Sequence, residues 1–203
     1  MLISSCSVNI DTGGKFVSIA PAQSYMNINS SRFSRYVNLT DPTGNRPAPY
    51  STFSFYGSNV YAYLVQQYGD WIDLISIQFY ESYSVASYKM KHDGNTASDY
   101  LLDYIDELLS SNESFYVNFT EDVEVGLSAQ NVSLPLQKLV FGFGNGWALN
   151  SDKIAYISSD QVNLTWHQLL PSKQPRGFMF WTINSEGENG VFLAKELHQI
   201  LQS

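Results

Sequence analysis

One stretch decides the fold prediction, Trp71-Ile72-Asp73-Leu74-Ile75-Ser76-Ile77-Gln78-Phe79-Tyr80-Glu81. Its first half is apolar except for Asp73 and Ser76, and it is rich in β-branched residues. A strand that is covered on both faces of a parallel sheet has this composition. We therefore predict a buried strand over residues 71 to 81, inside a parallel sheet.

The carboxyl end of this stretch is polar on one side. Because side chains alternate across a strand, Gln78 and Tyr80 share one side, and Ile77 and Phe79 share the other. Inner strands of α/β barrels carry their functional side chains at this end. The polar tip is therefore either part of a site or the solvated end of a core strand. The stretch alone favours neither interpretation.

Composition narrows the classes of partner. The chain has 203 residues, which is enough for one domain with a substantial core. Its net charge is -8 and it has no basic run, so nucleic acid and anionic membrane surfaces are poor partner candidates. No apolar run approaches the roughly 18 residues that a transmembrane helix needs. The 14 Tyr, 12 Phe and 4 Trp suit stacking on sugars as well as ordinary packing.

The sequence has too few cysteine and histidine residues to predict a disulfide or a metal site. Cys6 is the only cysteine, so no internal disulfide can form. The three histidines, His92, His167 and His198, lie far apart and lack the spacing of metal ligands. We therefore expect neither a metal ion nor an organic cofactor.

The sequence is rich in N-glycosylation sequons (N-x-S/T). They begin at Asn29, Asn38, Asn112, Asn118, Asn131 and Asn163. Roughly two or three would arise by chance in a chain with this much Asn and Ser. The excess favours a glycoprotein that passes through the secretory pathway, as part of a longer product.

Strand and helix patterns alternate along the rest of the chain. Further strands are predicted over residues 16 to 21, 139 to 144 and 177 to 183. Helices are predicted over residues 60 to 67, 97 to 110, 158 to 170 and 191 to 201, and a long surface loop over residues 24 to 49. Two alternating runs, 114 to 119 and 123 to 127, either join the main sheet or form a hairpin insertion. This alternation predicts an α/β fold with a parallel sheet.

Four strand motifs occur in the order found in one enzyme family. Residues 16 to 21 end in Ala-Pro, residues 71 to 81 end in Gln-Phe-Tyr-Glu, residues 139 to 144 read Leu-Val-Phe-Gly-Phe-Gly, and residues 178 to 184 include Phe-Trp-Thr-Ile-Asn. Over residues 13 to 203 the chain resembles the C-terminal half of family 18 glycoside hydrolases, the chitinases and their lectin-like relatives. The resemblance implies a partial (β/α)8 TIM barrel, strands five to eight with their helices.

The resemblance also implies a site for glycans that contain N-acetylglucosamine. Gln78 and Tyr80 match the family's strand-six motif, in which the tyrosine hydrogen-bonds the acetamido group of the substrate. Glu81 stands where Asn or Asp is usual, and its longer side chain puts that contact in doubt. Trp181 matches the tryptophan at the floor of the central sugar subsite. Taken singly, these residues would be interpreted as a solvated strand end and a core tryptophan.

The family's catalytic motif, D-x-x-D-x-D-x-E at the end of strand four, is absent. Asp11 is the only carboxylate before Lys15, and no other carboxylates have this spacing. Asp103, Asp106 and Glu107 are interpreted as the solvated face of a helix. In this family the substrate assists its own cleavage, and one glutamic acid protonates the leaving oxygen. General acid catalysis is typically worth about 10²- to 10⁴-fold, so we expect no catalytic residue and no competent chitinase in this chain alone.

Three hypotheses follow for the function. A complete barrel takes about 250 residues, so the chain is first interpreted as part of a chitinase-like hydrolase. A missing N-terminal half or a partner chain would complete it. The second hypothesis is a non-catalytic module that binds chitin or a related glycan. The third is a relic or gene fragment without a stable fold.

Overall fold

One sheet of five strands lies at the centre of the part of the chain that the computed structural model describes, and helices pack against it. The described residues are 7–9, 15–35, 58–80, 84–151, 154 and 156–203. The strands are β1 (Ser7–Asn9), β2 (Lys15–Ile19), β3 (Leu74–Gln78), β4 (Ser114–Val117), β5 (Gln130–Ser133), β6 (Leu139–Gly144) and β7 (Gly177–Trp181). The helices are α1 (Val60–Tyr68), α2 (Val85–His92), α3 (Ala97–Ser110), α4 (Ser159–Gln168) and α5 (Leu193–Gln202).

Four strands run parallel and follow one another across the sheet in chain order. β2 pairs with β3, β3 with β6 and β6 with β7, whereas β1 runs antiparallel along the outer edge of β2. The order never reverses, unlike the order in a doubly wound sheet. Since such connections are right-handed, all the connecting helices then lie on one face. The four parallel strands curl as half of an α/β barrel does, which confirms the predicted parallel α/β sheet.

The face that the helices cover holds the hydrophobic core. Ile75 and Ile77 of β3 and Phe141 of β6 point into it and are almost fully buried. Phe79 lies edge-on against Tyr104 of α3 and against Phe141, with ring centroids 5.3 and 5.1 Å apart. Such edge-to-face pairs contribute about 0.5–1.5 kcal/mol each beyond the burial of apolar area. These aromatic contacts fix α3 to the centre of the sheet.

The opposite side of the sheet is called the inner face below. Alternation places Ser76 and Gln78 of β3 on it, and the register places Val140 of β6 and Met179 of β7 beside them. In a complete barrel, layers of side chains from all eight strands fill this space. In the described structure, four parallel strands contribute to it.

Local capping signals set the starts of three helices. Thr96 Oγ1 accepts a hydrogen bond from Asp99 N at 3.1 Å, and Ser158 Oγ accepts one from Gln161 N at 3.4 Å. The helices predicted over residues 60 to 67, 97 to 110, 158 to 170 and 191 to 201 are confirmed as α1, α3, α4 and α5. Helix α2, which Ser84 caps, was not predicted because only Ala86 and Ser87 in it are buried, so its sequence has no apolar stripe. No helix in the described ranges has the length and apolar character needed to cross a membrane.

Several predicted strands extend beyond the strands observed. The strand predicted over residues 71 to 81 covers Leu74–Gln78, because a 3₁₀ turn at Gly69–Trp71 precedes it and a turn follows it. The strand predicted over residues 177 to 183 ends at Trp181. Its side chains from Phe178 to Phe180 are half-buried, so the prediction of a strongly buried strand is wrong. The reason is that β7 lies at the edge of the sheet.

The region after α3 forms a separate two-stranded sheet. β4 pairs antiparallel with β5, so the first predicted run is a strand outside the main sheet, but its partner is Gln130–Ser133 and not the predicted run from 123 to 127. The run from 123 to 127 is not a strand. Asp122 Oδ1 accepts a hydrogen bond from Glu124 N at 3.1 Å, and this contact closes a 3₁₀ turn at Val123–Val125. A local side-chain contact thus overrides the alternating pattern.

Candidate functional site

The candidate site lies where β3, β6 and β7 end at one edge of the sheet. The register pairs Gln78 with Gly142 and Gly144 with Trp181. Parallel neighbours end at the same edge, where α/β barrels place their functional groups. The structure therefore brings Gln78, Tyr80 and Trp181 to one edge. Glu81, the fourth predicted residue, lies outside the described residues.

Gln78 connects the ends of β2 and β3. Its Nε2 donates a hydrogen bond to the carbonyl oxygen of Ala20 at 2.5 Å, and its backbone N–H donates to the carbonyl oxygen of Pro21 at 2.9 Å. A glutamine amide can make four hydrogen bonds, so the contact with Ala20 does not exhaust its capacity. Gln78 thus fixes the edge of the sheet and still has an amide oxygen to offer to a ligand.

Tyr80 is packed into the site edge, with 6% of its surface exposed. Its ring lies edge-on against Trp147, with centroids 6.0 Å apart and an interplanar angle of 88°. A Cβ added to Gly144 would lie 3.1 Å from Tyr80 Cβ and 2.8 Å from Ala148 Cβ, so the glycine makes room for both neighbours. The face of the Tyr80 ring is therefore not a stacking surface in this arrangement.

Trp181 presents its ring to solvent at the end of β7, with 58% of the residue exposed. This exposure disagrees with a tryptophan that plugs the core. Its carbonyl oxygen accepts two hydrogen bonds, from Asn145 N at 2.9 Å and from Trp147 Nε1 at 2.6 Å. The peptide bond between Trp181 and Thr182 is cis. The two hydrogen bonds to its carbonyl oxygen hold the backbone that carries this large exposed aromatic surface.

Trp147 links the two predicted aromatic residues, and the sequence did not single it out. It lies in a 3₁₀ turn, Gly146–Ala148, directly after β6. Its indole N–H donates to Trp181, and its ring meets the ring of Tyr80. The available signal was a buried strand followed by Asn145, Gly146 and an aromatic residue. That pattern marks a tight turn at the functional edge, although it does not reveal the partner of the indole.

The turn that carries Trp147 is locked against the segment after β7. Asn145 is fully buried, and its Nδ2 donates to Glu186 Oε2 at 2.8 Å while its Oδ1 accepts from Gly146 N at 2.8 Å. A Cβ added to Gly146 would lie 2.0 Å from the carbonyl oxygen of Glu188, so only glycine fits there. Asn189 Nδ2 also donates to the carbonyl oxygen of Gly146 at 2.9 Å. These contacts hold the two loops of the site as one unit.

Glu186 is a carboxylate of this region, but it is occupied by the fold. Its Oε2 accepts the hydrogen bond from Asn145, and its Oε1 accepts one from Ala194 N at 2.9 Å, in the first turn of α5. An acid catalyst must reach the leaving oxygen with a proton. Since both oxygens of Glu186 already accept hydrogen bonds from N–H groups, this residue does not replace the acid of the missing motif. Asp103, Asp106 and Glu107 are exposed on α3, as predicted for a solvated helix face.

The described part of the chain holds no group of three or more His, Cys, Asp or Glu side chains that could bind a metal ion. No family model matches the sequence, and no curated protein matches it either. The family resemblance therefore depends on the strand motifs. What the site can do chemically is to stack a flat apolar ligand surface on Trp181 and to offer hydrogen bonds beside it.

Proposed function

We propose that this chain binds glycans that contain N-acetylglucosamine, at the edge where β3, β6 and β7 end. In this proposal the chain is the C-terminal portion of a (β/α)8 barrel of the family 18 glycoside hydrolase type. The observation that carries it is the exposed ring of Trp181 at the same sheet edge as Gln78 and Tyr80. All three residues match positions of the family motifs.

The order of the strands supports the barrel part of the proposal. Strands β2, β3, β6 and β7 neighbour one another in chain order, and each match to the family motif falls at a strand end. A doubly wound α/β fold would place its ligand at a reversal of strand order instead. These four strands would then be strands five to eight, with β2 carrying the Ala-Pro motif.

Binding would combine stacking with hydrogen bonds. The C–H-rich face of a pyranose fits an exposed aromatic ring, and Trp181 offers a large one. The acetamido group has one N–H donor and one carbonyl acceptor. In the proposal, the amide of Gln78 and the hydroxyl of Tyr80 meet this group. The contacts of Trp147 and Asn145 with the Trp181 carbonyl hold the backbone that carries the ring, which lowers the ordering cost of binding.

Binding without turnover is the expected behaviour of the chain alone. The acid that protonates the leaving oxygen in the family has no counterpart here, and Glu186 is held by Asn145 and Ala194. A lost general acid typically lowers the rate by about 10²- to 10⁴-fold. We expect no measurable release from a chromogenic chitobiose substrate. If the chain did hydrolyse this substrate, and if Tyr80→Phe abolished the hydrolysis, the expectation that the chain alone is inactive would be contradicted.

The binding test uses retention on chitin beads and titration with a chito-oligosaccharide. Trp181→Ala should lower affinity by about tenfold or more, since 1.4 kcal/mol corresponds to tenfold and aromatic contacts reach this size. Trp71→Ala is the matched control, because Trp71 is 77% exposed but lies at the opposite end of β3. A cooperative thermal melt of each variant must show that it is folded. A cooperative melt of the parent chain would also eliminate the hypothesis of a relic without a stable fold.

The outcomes separate the hypotheses. A folded protein that chitin does not retain would eliminate the glycan-binding proposal. Equal losses in Trp181→Ala and Trp71→Ala would show nonspecific adsorption and contradict the placement of the site.

A second candidate function is catalysis by a completed barrel. In it, a preceding segment or a partner chain supplies the acid. An in-frame D-x-x-D-x-D-x-E motif upstream in the transcript, followed by activity of the longer product, would support it. An in-frame stop codon there would count against it.

A further inference from the structure

The small sheet of β4 and β5 has one buried face and one exposed face. Phe115, Val117 and Val132 point into the hydrophobic core. On the other face, Tyr116 is 51% exposed and lies directly opposite Asn131 in the register. Residues opposite each other in an antiparallel pair have Cβ atoms about 4.5–5.5 Å apart. An exposed aromatic ring therefore stands beside an exposed asparagine.

Asn131 begins the sequon Asn131-Val132-Ser133. Because side chains alternate along β5, the first and third residues of this sequon lie on the outer face, and both are exposed. The buried Val132 between them anchors the strand. A glycan on Asn131 would therefore extend into solvent without disturbing the core.

Two other sequons have asparagine side chains that form hydrogen bonds with other side chains. Asn29 Nδ2 donates a hydrogen bond to Glu107 Oε2, and this is the nitrogen that a glycan would occupy. Asn118 is half-buried, and its Oδ1 accepts a hydrogen bond from Thr120 Oγ1 at 2.6 Å. The Asn29 contact engages the nitrogen to which a glycan would be joined, whereas the Asn118 contact engages the amide oxygen only.

The remaining sequons differ from that of Asn131 in other ways. Asn163 is exposed on α4, but the hydroxyl of its sequon partner Thr165 is buried and donates to the carbonyl oxygen of Gln161 at 3.0 Å. Asn112 is exposed in a left-handed turn after α3, with φ of 53°, and has no strand neighbour opposite it in the described structure. Asn38 lies outside the described residues.

We propose that the chain is an N-glycoprotein and that Asn131 carries a glycan whose first N-acetylglucosamine ring lies on Tyr116. In the transfer, Asn131 Nδ2 attacks the anomeric carbon of an oligosaccharide that is linked to a lipid diphosphate. The new bond joins Nδ2 to that carbon, the carbon–oxygen bond to the diphosphate breaks, and Nδ2 loses one proton. The lipid diphosphate leaves with the electron pair of the broken bond.

Coverage of Tyr116 gives the glycan a physical effect on the protein. The half-exposed ring is apolar surface in water, and a pyranose face stacked on it removes part of that surface from solvent. The glycan on Asn131 should therefore stabilise the folded chain when Tyr116 is present. A stacking contact of ordinary size corresponds to about 2–4 °C in the melting temperature of a chain of this length.

The occupancy test is a digest of the protein from the organism that makes it. An amidase that hydrolyses the bond between the glycosylated nitrogen and the asparagine side chain, used in ¹⁸O-labelled water, converts each occupied asparagine to labelled aspartate, which mass spectrometry locates. We expect label at Asn131, and an unlabelled Asn131 peptide would overturn the proposal. The same digest is applied to the chain secreted from eukaryotic cells. There, Asn131→Gln and Ser133→Ala should each remove the label from this peptide, and Ser133→Ala keeps the asparagine itself.

The stacking test compares melting temperatures before and after glycan release. The parent chain should lose about 2–4 °C on release, and a Tyr116→Ser variant should lose none. An equal loss in both chains would overturn the contact with Tyr116. Chitin retention should be the same in the glycosylated and released forms, so failure here is distinguishable from failure of the proposed glycan-binding function.

Discussion

The two faces of the sheet place different demands on alternate residues of the same strands. On the helix-covered face, Ile77 and Phe141 are almost completely buried and in contact with the core. On the inner face, Gln78 and Met179 are half-buried, and the strand end is exposed at Trp181. The buried apolar contacts are therefore concentrated on one face, and the half-buried and exposed side chains of the candidate site lie on the other. The following predictions test this division.

The largest effect is expected on the helix-covered face. Phe141→Ala removes a ring that contacts Phe79 and Tyr104, with centroids 5.1 and 6.0 Å away, and should lower the free energy of unfolding by about 3–5 kcal/mol. Met179→Ala on the inner face should cost about 1 kcal/mol, as is usual outside a core. Urea denaturation measures both values. Equal losses would show that the inner face is as fully buried as the core.

A smaller but site-specific loss is expected at Gly146. A Cβ at this position would lie 2.0 Å from the carbonyl oxygen of Glu188, so Gly146→Ala must displace one of the two site loops. Such overpacking typically costs about 1–3 kcal/mol, and retention on chitin should fall with it. Gly177→Ala in β7 is the matched control, since a Cβ there meets nothing within 4 Å. An unchanged melt for Gly146→Ala would show that the loops can separate freely.

The parts of the fold with local signals could be predicted from the sequence. The alternation of Ile77 and Gln78 follows from a period of two, and α3 follows from its apolar spacing and from Thr96. Helix α2 has no such apolar stripe. Its position therefore depends on the neighbouring elements and could not be predicted from its own sequence. The run after Asp122 alternates like a strand, but a side-chain contact with Glu124 N turns it.

The candidate site could be predicted only in part. Gln78 can be identified as a candidate from its position at a polar strand end, whereas Trp181 is identified as a site residue only through the resemblance to a family. Trp147 could not be found from local sequence. Its role depends on the register between β6 and β7, which brings its indole to the Trp181 carbonyl. Contacts of this kind are set by the pairing of distant strands.

Two tyrosines of α3 should respond in opposite directions to loss of the hydroxyl group. The Tyr104 hydroxyl is buried without a hydrogen-bond partner in the described structure, and burial raises the pKa of this phenol. Tyr104→Phe should therefore leave stability unchanged or raise it by about 1 kcal/mol.

Tyr100→Phe is the matched substitution, because the Tyr100 hydroxyl accepts a hydrogen bond from Gln23 Nε2. Its loss should cost about 1–3 kcal/mol, since a buried amide then lacks its partner. Urea midpoints compare the two variants. A destabilised Tyr104→Phe would reveal a partner for its hydroxyl, such as a bound water.

A small loss of stability is expected at the site edge, from Trp147→Phe. This change keeps an aromatic ring beside Tyr80 and removes the N–H that donates to the Trp181 carbonyl at 2.6 Å. The lost hydrogen bond should lower the free energy of unfolding by about 0.5–1.5 kcal/mol. If Trp147 positions Trp181 for a ligand, affinity for a chito-oligosaccharide should fall further than stability explains. The titration is therefore made far below the melting temperature, where both proteins are folded. Unchanged affinity would show that Trp147 contributes to packing and not to ligand binding. The hydrogen bond from Asn145 N would then be the contact that positions the Trp181 backbone.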